Sequence, residues 1–304
     1  MSTDRNALTA RTLPFMKLSD GSESSNTAPL APLSYGLDGK GRALARFAVE
    51  GVVVVTGGAG TLGLSAARAL LEHGAAGLAI WDLEATINSS QPAIKSLIEQ
   101  FPHQPVITVC VDVTSMASIA TGIDAVTKVL GSVTHLFCFA GIVGCFNALD
   151  TTDERWRQTL DVNTTGAFLC AREVARRMTA QPTPRRCSIT LTASISAHRV
   201  NYPQAQAAYN VSKAAVVALK SSLAAEWAVH GIRVNSISPG YMDTILNAGE
   251  GNIKDARESW TSRNPMGRMG ALAEMDGVCV LLASRAGSYI NGADLVVDGG
   301  ASVF

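Results

Sequence analysis

A run of four valines that leads into a glycine-rich loop constrains this chain more than any other feature. Val52–Thr56 is apolar and β-branched, which predicts a strand buried on both faces. The loop Gly57–Gly63 reads Gly-Gly-Ala-Gly-Thr-Leu-Gly and precedes an Ala/Leu-rich helical segment. Glycines let a backbone approach a pyrophosphate, and a helix N-terminus offers it free N–H groups. We therefore predict a nucleotide-binding turn, although a plain turn would use similar residues. The residues expected at the phosphates are Gly57, Gly60, Thr61, Leu62 and Gly63.

From Phe47 onward the chain alternates short apolar runs with longer helical patterns. Strands are predicted at Val52–Thr56, Leu78–Trp81, Val106–Val111, His135–Ala140, Ser188–Thr192, Arg233–Ile237 and Leu295–Val297. Helices are predicted near Leu62–His73, Ala93–Phe101, Ser115–Leu130, Asp153–Met178, Ala207–His230 and Leu272–Ala283. Apolar strands joined by helices are typical of a parallel sheet that is covered on both faces. We expect a doubly wound α/β fold of about seven strands.

Residues 1–45 differ in composition from the rest of the chain. Ser19–Ser34 is rich in Ser, Pro, Asn and Ala and has no apolar period. This composition predicts a disordered or loosely attached N-terminal arm. Residues 46–304 are predicted to form a single domain.

Composition and charge exclude several classes of function. The 25 basic and 25 acidic residues give a net charge of zero, which indicates neither a nucleic-acid nor a membrane partner. No stretch has the roughly 18 consecutive apolar residues of a membrane-spanning helix, and the N-terminus has no signal-peptide core. The six cysteines form no C-x-x-C pair, which favours free thiols and a cytoplasmic location. No cluster has metal-ligand spacing, so we expect no metal.

Asp82 ends the second predicted strand, 19 residues beyond Gly63. An acid at this place hydrogen-bonds the adenosine ribose hydroxyls in dinucleotide-binding folds and repels a 2′-phosphate. The glycine-rich loop contains no Arg or Lys. These features favour NAD(H) and leave NADP(H) open. The alternative interpretation is that Asp82 only caps a helix or forms a turn.

Tyr209 and Lys213 open a helical segment and, four residues apart, share one of its faces. A tyrosine with an ordinary pKa near 10 is a poor base at neutral pH, and a nearby ammonium favours the phenolate. The pair therefore predicts a proton-transfer device, although this spacing alone also occurs by chance.

Several motifs occur together in one order along the chain. They are the strand and loop Thr56–Gly63, Asn163, Ser194, Tyr209 with Lys213, Pro239-Gly240 with Thr244, and the closing Val297–Gly300. In this order and approximate spacing the chain, from about Phe47 to Gly300, resembles the short-chain dehydrogenase/reductase family and its Rossmann fold. The segments Thr192–His198 and Pro203–Asn210 are most similar to fungal polyol and ketose reductases of the mannitol and sorbose kind.

The resemblance implies a role for each matching residue. Tyr209 would give a proton to a carbonyl oxygen in reduction, or remove it from an alcohol in oxidation. Lys213 would hold the nicotinamide ribose and lower the pKa of Tyr209, and Asn163 would position a water that connects Lys213 to solvent. The other expected cofactor contacts are Asp112 and Val113 beside the adenine, Ala140 and Gly141 behind the fourth strand, Pro239 and Gly240, and Thr244 at the carboxamide.

The serine that would bind the substrate oxygen has two candidates. Family members commonly place it 13 residues before the tyrosine, which points to Ser196. The strand register and the small residue Ala197 point to Ser194, which we prefer. Two positions depart from the family pattern: Thr61 stands in place of its middle glycine, and Cys138-Phe-Ala-Gly141 replaces Asn-Asn-Ala-Gly.

These features predict an oxidoreductase that interconverts a secondary alcohol and a ketone, with a polyol/ketose pair as the first choice. A ketone of fungal secondary metabolism is the second choice, and a nucleotide-sensing protein without catalysis is the alternative from another class. Residues 245–264 are expected to cover the substrate. His198 is interpreted as a loop residue, and Cys145 either lines the pocket or packs. The resemblance also implies a homodimer or homotetramer.

Overall fold

Seven parallel strands form one sheet in the computed structural model, which describes residues 12–181, 186–244 and 251–303. The strands are β1 Val52–Thr56, β2 Gly77–Asp82, β3 Val106–Cys110, β4 Val133–Cys138, β5 Cys187–Thr192, β6 Ile232–Pro239 and β7 Asp294–Val297. Their order across the sheet is β3-β2-β1-β4-β5-β6-β7. The predicted doubly wound parallel fold is confirmed.

Ten α-helices accompany the strands within these residues. They are α1 Gly39–Phe47, α2 Thr61–Glu72, α3 Glu84–Ser89, α4 Gln91–Gln100, α5 Met116–Leu130, α6 Asp153–Leu160, α7 Ala167–Thr179, α8 Ala207–Trp227, α9 Asn252–Ser262 and α10 Asp276–Ala283. None of the described helices has both the length and the apolar character that a bilayer-spanning segment needs.

The valines of β1 explain why the sheet is covered on both faces. Successive side chains of a strand point to opposite faces. Val52 and Val54 pack in a cluster that includes the helical residues Ile123 and Val216. Val53 and Val55 pack in a second cluster, which includes residues of α2, α4 and α10. A strand with four consecutive apolar residues therefore needs a helical layer on each side.

The strand order reverses at β1, which has β2 on one side and β4 on the other. The connections from the adjacent strands β1 and β4 leave in opposite directions, so a crevice opens at the carboxyl ends of these two strands. Gly57 follows β1, Asp82 ends β2 and Ser194 follows β5 at this same edge. The topology therefore gathers the candidate residues that lie far apart in the sequence.

Three helices differ from the predicted pattern. The expected helix over residues 153–178 is interrupted by a π-helical turn, Asp161–Gly166, between α6 and α7. Helices α3 and α9 are short or polar, and neither was predicted from apolar periodicity. Polar helices with few buried residues leave no strong periodic pattern in the sequence.

The N-terminal arm, predicted as residues 1–45, lies partly outside the described residues. Helix α1 crosses the predicted boundary at residue 45, and the Asp38 side chain caps it by accepting from the Gly41 N–H. Upstream, the Asn26 side chain donates to the Val229 carbonyl at 3.4 Å. The described part of the arm therefore contacts the sheet domain through hydrogen bonds.

Candidate active site

The glycine-rich loop brings two backbone segments closer than side chains would allow. Gly57 has a φ of +64°, and a Cβ there would lie 2.6 Å from the Ala140 nitrogen. A Cβ at Gly63 would lie 2.4 Å from the Gly57 carbonyl oxygen. Glycine is therefore required at both positions, the first for its conformation and both for close packing.

Helix α2 begins at this loop with an uncapped N-terminus. Gly60 precedes the helix and gives no side-chain hydrogen bond to its first turn, which comprises Thr61, Leu62 and Gly63. The N–H groups of a first turn have no partner within the helix, so they can bind a pyrophosphate. Thr61 causes no strain, since among the described residues only glycines have a positive φ. The glycine cradle and this helix end fit a dinucleotide.

Asp82 holds the loop from the end of β2. Its carboxylate accepts the Ala59 N–H at 3.1 Å and the Leu83 N–H at 2.9 Å. These bonds are those of the alternative interpretation, in which Asp82 is a turn residue, and they occur at the position predicted for the ribose. At the end of β3, the Asp112 carboxylate accepts hydrogen bonds from the backbone and hydroxyl of Thr114, at 2.9 and 2.7 Å.

Val113 and Gly166 bring the turn after β3 against the π-helical turn. A Cβ at Gly166 would lie 2.9 Å from a Val113 methyl. The absence of a side chain at position 166 therefore lets this wall of the crevice approach the neighbouring helix closely.

Thr56 holds the first residues after β4, where the family pattern has an asparagine within the segment itself. The Thr56 carbonyl accepts the Phe139 N–H at 2.9 Å, and its hydroxyl accepts the Ala140 N–H at 3.3 Å. Cys138 is buried, and burial raises the pKa of its thiol to about 12. The departure from the family pattern therefore leaves an inert thiol and a loop that β1 still holds in place.

Asn163 lies in the π-helical turn and hydrogen-bonds both the segment after β4 and helix α8. Its amide accepts the Ile142 N–H at 2.8 Å and donates to the Ile142 carbonyl at 3.0 Å. It also donates to the Ser212 hydroxyl on α8 at 3.0 Å. A Cβ at Gly141 would lie 3.2 Å from Asn163 Oδ1 and 3.6 Å from Lys213 Nζ. The predicted residues Gly141, Asn163 and Lys213 are therefore neighbours.

Tyr209 and Lys213 lie on one face of the first turns of α8. The Lys213 ammonium donates to the Thr192 carbonyl at 2.7 Å and lies 5.6 Å from the centre of the Tyr209 ring. Only 4% of Lys213 is exposed. The structure thus brings the predicted pair together at the carboxyl end of β5.

The expected lowering of the Tyr209 pKa is not found in the protein alone. Burial raises the pKa of Tyr209 to about 12, against a smaller opposing effect of its hydrogen bond with Ser194. Burial also lowers the pKa of Lys213 to about 8, because its charge is removed from water. In the pKa values of both side chains, desolvation therefore outweighs the attraction between ammonium and phenolate that the spacing predicts.

The two candidate serines are adjacent, but they have different partners. Ser194 hydrogen-bonds Tyr209 and also donates to the Ser196 hydroxyl at 3.0 Å. Ser196 in turn accepts from the Gln206 side chain at 3.2 Å. Ser194 is thus the serine in contact with the tyrosine, which agrees with the strand-register argument.

Sequence reasoning missed a set of amide side chains beside these residues. Gln206 donates to Asn210 Oδ1 at 3.0 Å, and the Cys145 thiol lies 3.7 Å from its Oε1. The Tyr241 hydroxyl accepts from Asn201 at 2.7 Å and from Gln204 at 3.0 Å. The segment 201–210 contains four Asn or Gln side chains, which was the available signal.

Two further residues near the site have structural partners. The His198 ring lies 2.8 Å from an Asp294 carboxylate oxygen, which agrees with its interpretation as a locally bonded loop residue. Trp260 of α9 stacks on Tyr241 with ring centres 4.2 Å apart. Helix α9 forms part of the segment expected to cover the substrate, whereas residues 245–250 lie outside the described residues.

The end of β6 contains the last predicted cofactor contacts. Pro239 is the final residue of the strand, and a Cβ at Gly240 would lie 2.7 Å from the Asp298 Cβ. Thr244 is buried. No group of three or more His, Cys, Asp or Glu side chains in the described ranges is arranged to hold a metal ion.

Comparisons with known proteins agree with this arrangement. The family described as enoyl-(acyl carrier protein) reductase matches residues 57–302. A solved short-chain type dehydrogenase/reductase from Mycobacterium marinum is 35% identical, with a TM-score of 0.79 over 85% of this chain and 98% of that chain. The chain belongs to the short-chain dehydrogenase/reductase family. As a member of this family it is an oxidoreductase that binds NAD(P)(H).

Two curated members of the short-chain dehydrogenase/reductase family show similarity along most of their lengths. The NADP-dependent mannitol dehydrogenase of Alternaria alternata is 38% identical over 261 residues, which is 84% of this chain and 93% of that protein. The galactitol 2-dehydrogenase (L-tagatose-forming) of Cereibacter sphaeroides is 35% identical over 259 residues, 85% of this chain and 98% of that protein.

The glycine cradle of this short-chain dehydrogenase/reductase yields a binding prediction. Gly63→Ala places a Cβ against the Gly57 carbonyl, whereas a Cβ at Gly277 of α10 would meet nothing within 4 Å. We expect Gly63→Ala to weaken NADH binding at least about tenfold, measured by fluorescence titration, because one displaced loop loses several phosphate contacts. Gly277→Ala is the control and should bind as the wild type does. Equal affinity of both variants would contradict the cradle.

Lys213 yields a prediction on stability against pH. Its pKa falls from 10.5 to about 8 on folding, so the unfolded chain binds more protons between these values and stability rises with pH there. At about 1.4 kcal/mol per pKa unit, the buried charge costs about 3 kcal/mol at pH 7. The free energy of unfolding of Lys213→Met, relative to wild type, should therefore fall between pH 7 and pH 10 in urea titrations. The exposed Lys128→Met is the control, and a pH-independent difference for Lys213→Met would refute the assignment.

Proposed function

We propose that this chain interconverts a secondary alcohol and a ketone of a polyol/ketose pair, by hydride transfer with NAD(H). One observation carries the proposal: Ser194, Tyr209 and Lys213 converge at the carboxyl edge of the sheet, beside Asn163 and the glycine cradle. A bound nicotinamide supplies the hydride, and the protein has to orient the substrate and manage one proton.

The pKa values support Tyr209 as a proton donor in the direction of reduction. With a pKa raised to about 12, its phenol holds a proton throughout the neutral range. The phenol would give this proton to the substrate oxygen, which the Ser194 hydroxyl would also bind. The Lys213 ammonium would stabilise the phenolate that remains, and it keeps its charge up to a pH of about 8. Asn163 would position the water through which the proton is restored.

The amide side chains near the catalytic residues support a polyhydroxylated substrate. Gln206 and Asn210 lie beside Ser196, and Gln204 and Asn201 surround the Tyr241 hydroxyl. Amides both donate and accept hydrogen bonds, as a row of hydroxyl groups requires. Relatives named for mannitol and galactitol favour the same class. These relatives do not favour the second choice, a ketone of secondary metabolism.

Two observations favour different cofactors. The Alternaria alternata relative is named as NADP-dependent. In this chain, however, the Asp82 carboxylate ends β2, and neither Gly57–Gly63 nor residues 83–89 offer a Lys or Arg to a 2′-phosphate. We give the chain's own residues more weight and propose NAD(H). A homodimer or homotetramer in the cytoplasm remains our proposal for its assembly and location.

Tyr209→Phe tests the reaction. We expect kcat for ketose reduction to fall by about 10²–10⁴, since the proton donor is removed, while NADH binding is retained. Ser194→Ala should lose more activity than Ser196→Ala, and the exposed Tyr35→Phe is the control. Wild-type turnover by Tyr209→Phe across a panel of ketoses and polyols would reject catalysis and favour the nucleotide-sensing alternative.

Asp82→Ser tests the cofactor. Because like charges repel in a partly buried site, the wild type should have a kcat/KM at least about tenfold higher with NADH than with NADPH. The substitution should reduce this ratio by a similar factor, and Glu72→Gln, at the far end of α2, should leave it unchanged. A wild type that prefers NADPH would overturn the role given to Asp82.

A further inference from the structure

A second cavity lies at the amino ends of the strands, on the sheet edge opposite Ser194 and Tyr209. Its volume is about 770 Å³, which is within the size range of metabolite pockets. Gly51, Thr134 and Ile232, at the starts of β1, β4 and β6, line its floor, and Asn26, Thr27 and Leu30 of the arm line another side. None of the residues proposed for catalysis or cofactor binding lines it.

The cavity has an excess of positive charge. Arg186, Arg233 and Arg285 all line it, and Glu50 supplies the only carboxylate among the described lining residues. In the hydrogen bonds and ion pairs of the described chain, these three guanidinium groups donate to backbone carbonyls and to no carboxylate. Burial and the neighbouring Arg186 charge lower the pKa of Arg233 to about 10. Arg186 and Arg233 therefore repel each other, and an anion would relieve that repulsion.

The walls also offer uncharged hydrogen-bonding groups. His135 is 3% exposed, and its Nε2 lies 2.8 Å from the Glu50 carbonyl oxygen, which can only accept. Burial lowers the pKa of His135 to about 4, so the ring is neutral and its Nδ1 is a bare acceptor. This Nδ1 has no partner in the described part of the protein and is itself buried. The polar side chains of Asn26, Thr27 and Ser288 line the cavity, and such groups suit a ligand that also carries hydroxyl groups.

We propose that this cavity binds a small phosphate monoester that carries hydroxyl groups, as a sugar phosphate does. A guanidinium is planar and binds phosphate oxygens in pairs, and each has five N–H donors, more than the carbonyl contacts use. Arg186 and Arg285 also donate to the carbonyls of Ala28 and Ala31 in the arm. The ligand and the arm therefore share two side chains, and binding at this edge would hold the arm against the sheet.

Calorimetric titration of the full-length protein tests the site, without cofactor and at matched ionic strength. The probes are glucose 6-phosphate, glucose, inorganic phosphate and citrate. Glucose 6-phosphate should bind at least about tenfold more tightly than glucose or inorganic phosphate, and Arg186→Gln and Arg285→Gln should each weaken it at least about tenfold. Arg157→Gln, an exposed residue of α6, is the control and should stay within about twofold.

Equal binding of glucose and glucose 6-phosphate would overturn the proposal, and so would unchanged affinity in both cavity variants. Tighter binding of citrate would overturn the choice of a phosphate ligand. If either variant fails to fold, hydrogen exchange of the wild type decides. Glucose 6-phosphate should then protect residues 24–31 and 283–291, and protection confined to residues 194–213 would place the ligand at the catalytic edge instead and overturn the proposal.

Discussion

The hydrogen bond from the Lys213 ammonium to the Thr192 carbonyl is the interaction on which the geometry of the candidate active site depends. The carbonyl belongs to the last residue of β5 and the ammonium to the second turn of α8, so the bond fixes the helix relative to the sheet edge. Burying an ammonium costs free energy because the charge loses its hydration, and the same desolvation lowers the pKa of Lys213. The fold retains it because the same bond sets where Tyr209 lies relative to Ser194.

Asn163 supplies the second constraint on the same arrangement. An uninterrupted helix over residues 153–178 would carry its side chains in regular register, whereas the π-helical turn Asp161–Gly166 shifts that register by one residue. The shift accompanies an amide that bonds both the segment after β4 and Ser212 of α8. Such turns are frequent at functional sites because one displaced residue re-aims a side chain without ending the helix.

The fold was predictable because strand β1 is almost entirely apolar. The apolar side chains of a strand such as Val52–Thr56 point to both faces of the sheet and are removed from water only if each face is covered. This local pattern therefore implies a layer of helices on both faces. The convergence of residues at the candidate site was also predictable in part, from residue types and spacings that are informative: Tyr209 with Lys213, and the glycines. Helices α3 and α9 were not predictable, since their few buried residues leave no apolar period.

The direction of the Tyr209 pKa shift was not predictable from the sequence either. The spacing of Tyr209 and Lys213 shows that the ammonium can lie near the phenol, but the burial that raises the pKa of Tyr209 depends on the whole fold.

The two edges of the sheet offer different groups to an anion, and this difference follows from the topology. At the carboxyl edge, glycines and uncapped helix ends provide neutral N–H donors, so a phosphate can be bound there without a guanidinium. At the amino edge the strands begin, and the α-helix that connects two parallel strands returns with its carboxyl end towards that edge. An anion at the amino edge therefore requires side-chain cations, and the structure has Arg186, Arg233 and Arg285 around one cavity. The physical reason for expecting two differently built phosphate sites is thus the polarity of the parallel sheet itself.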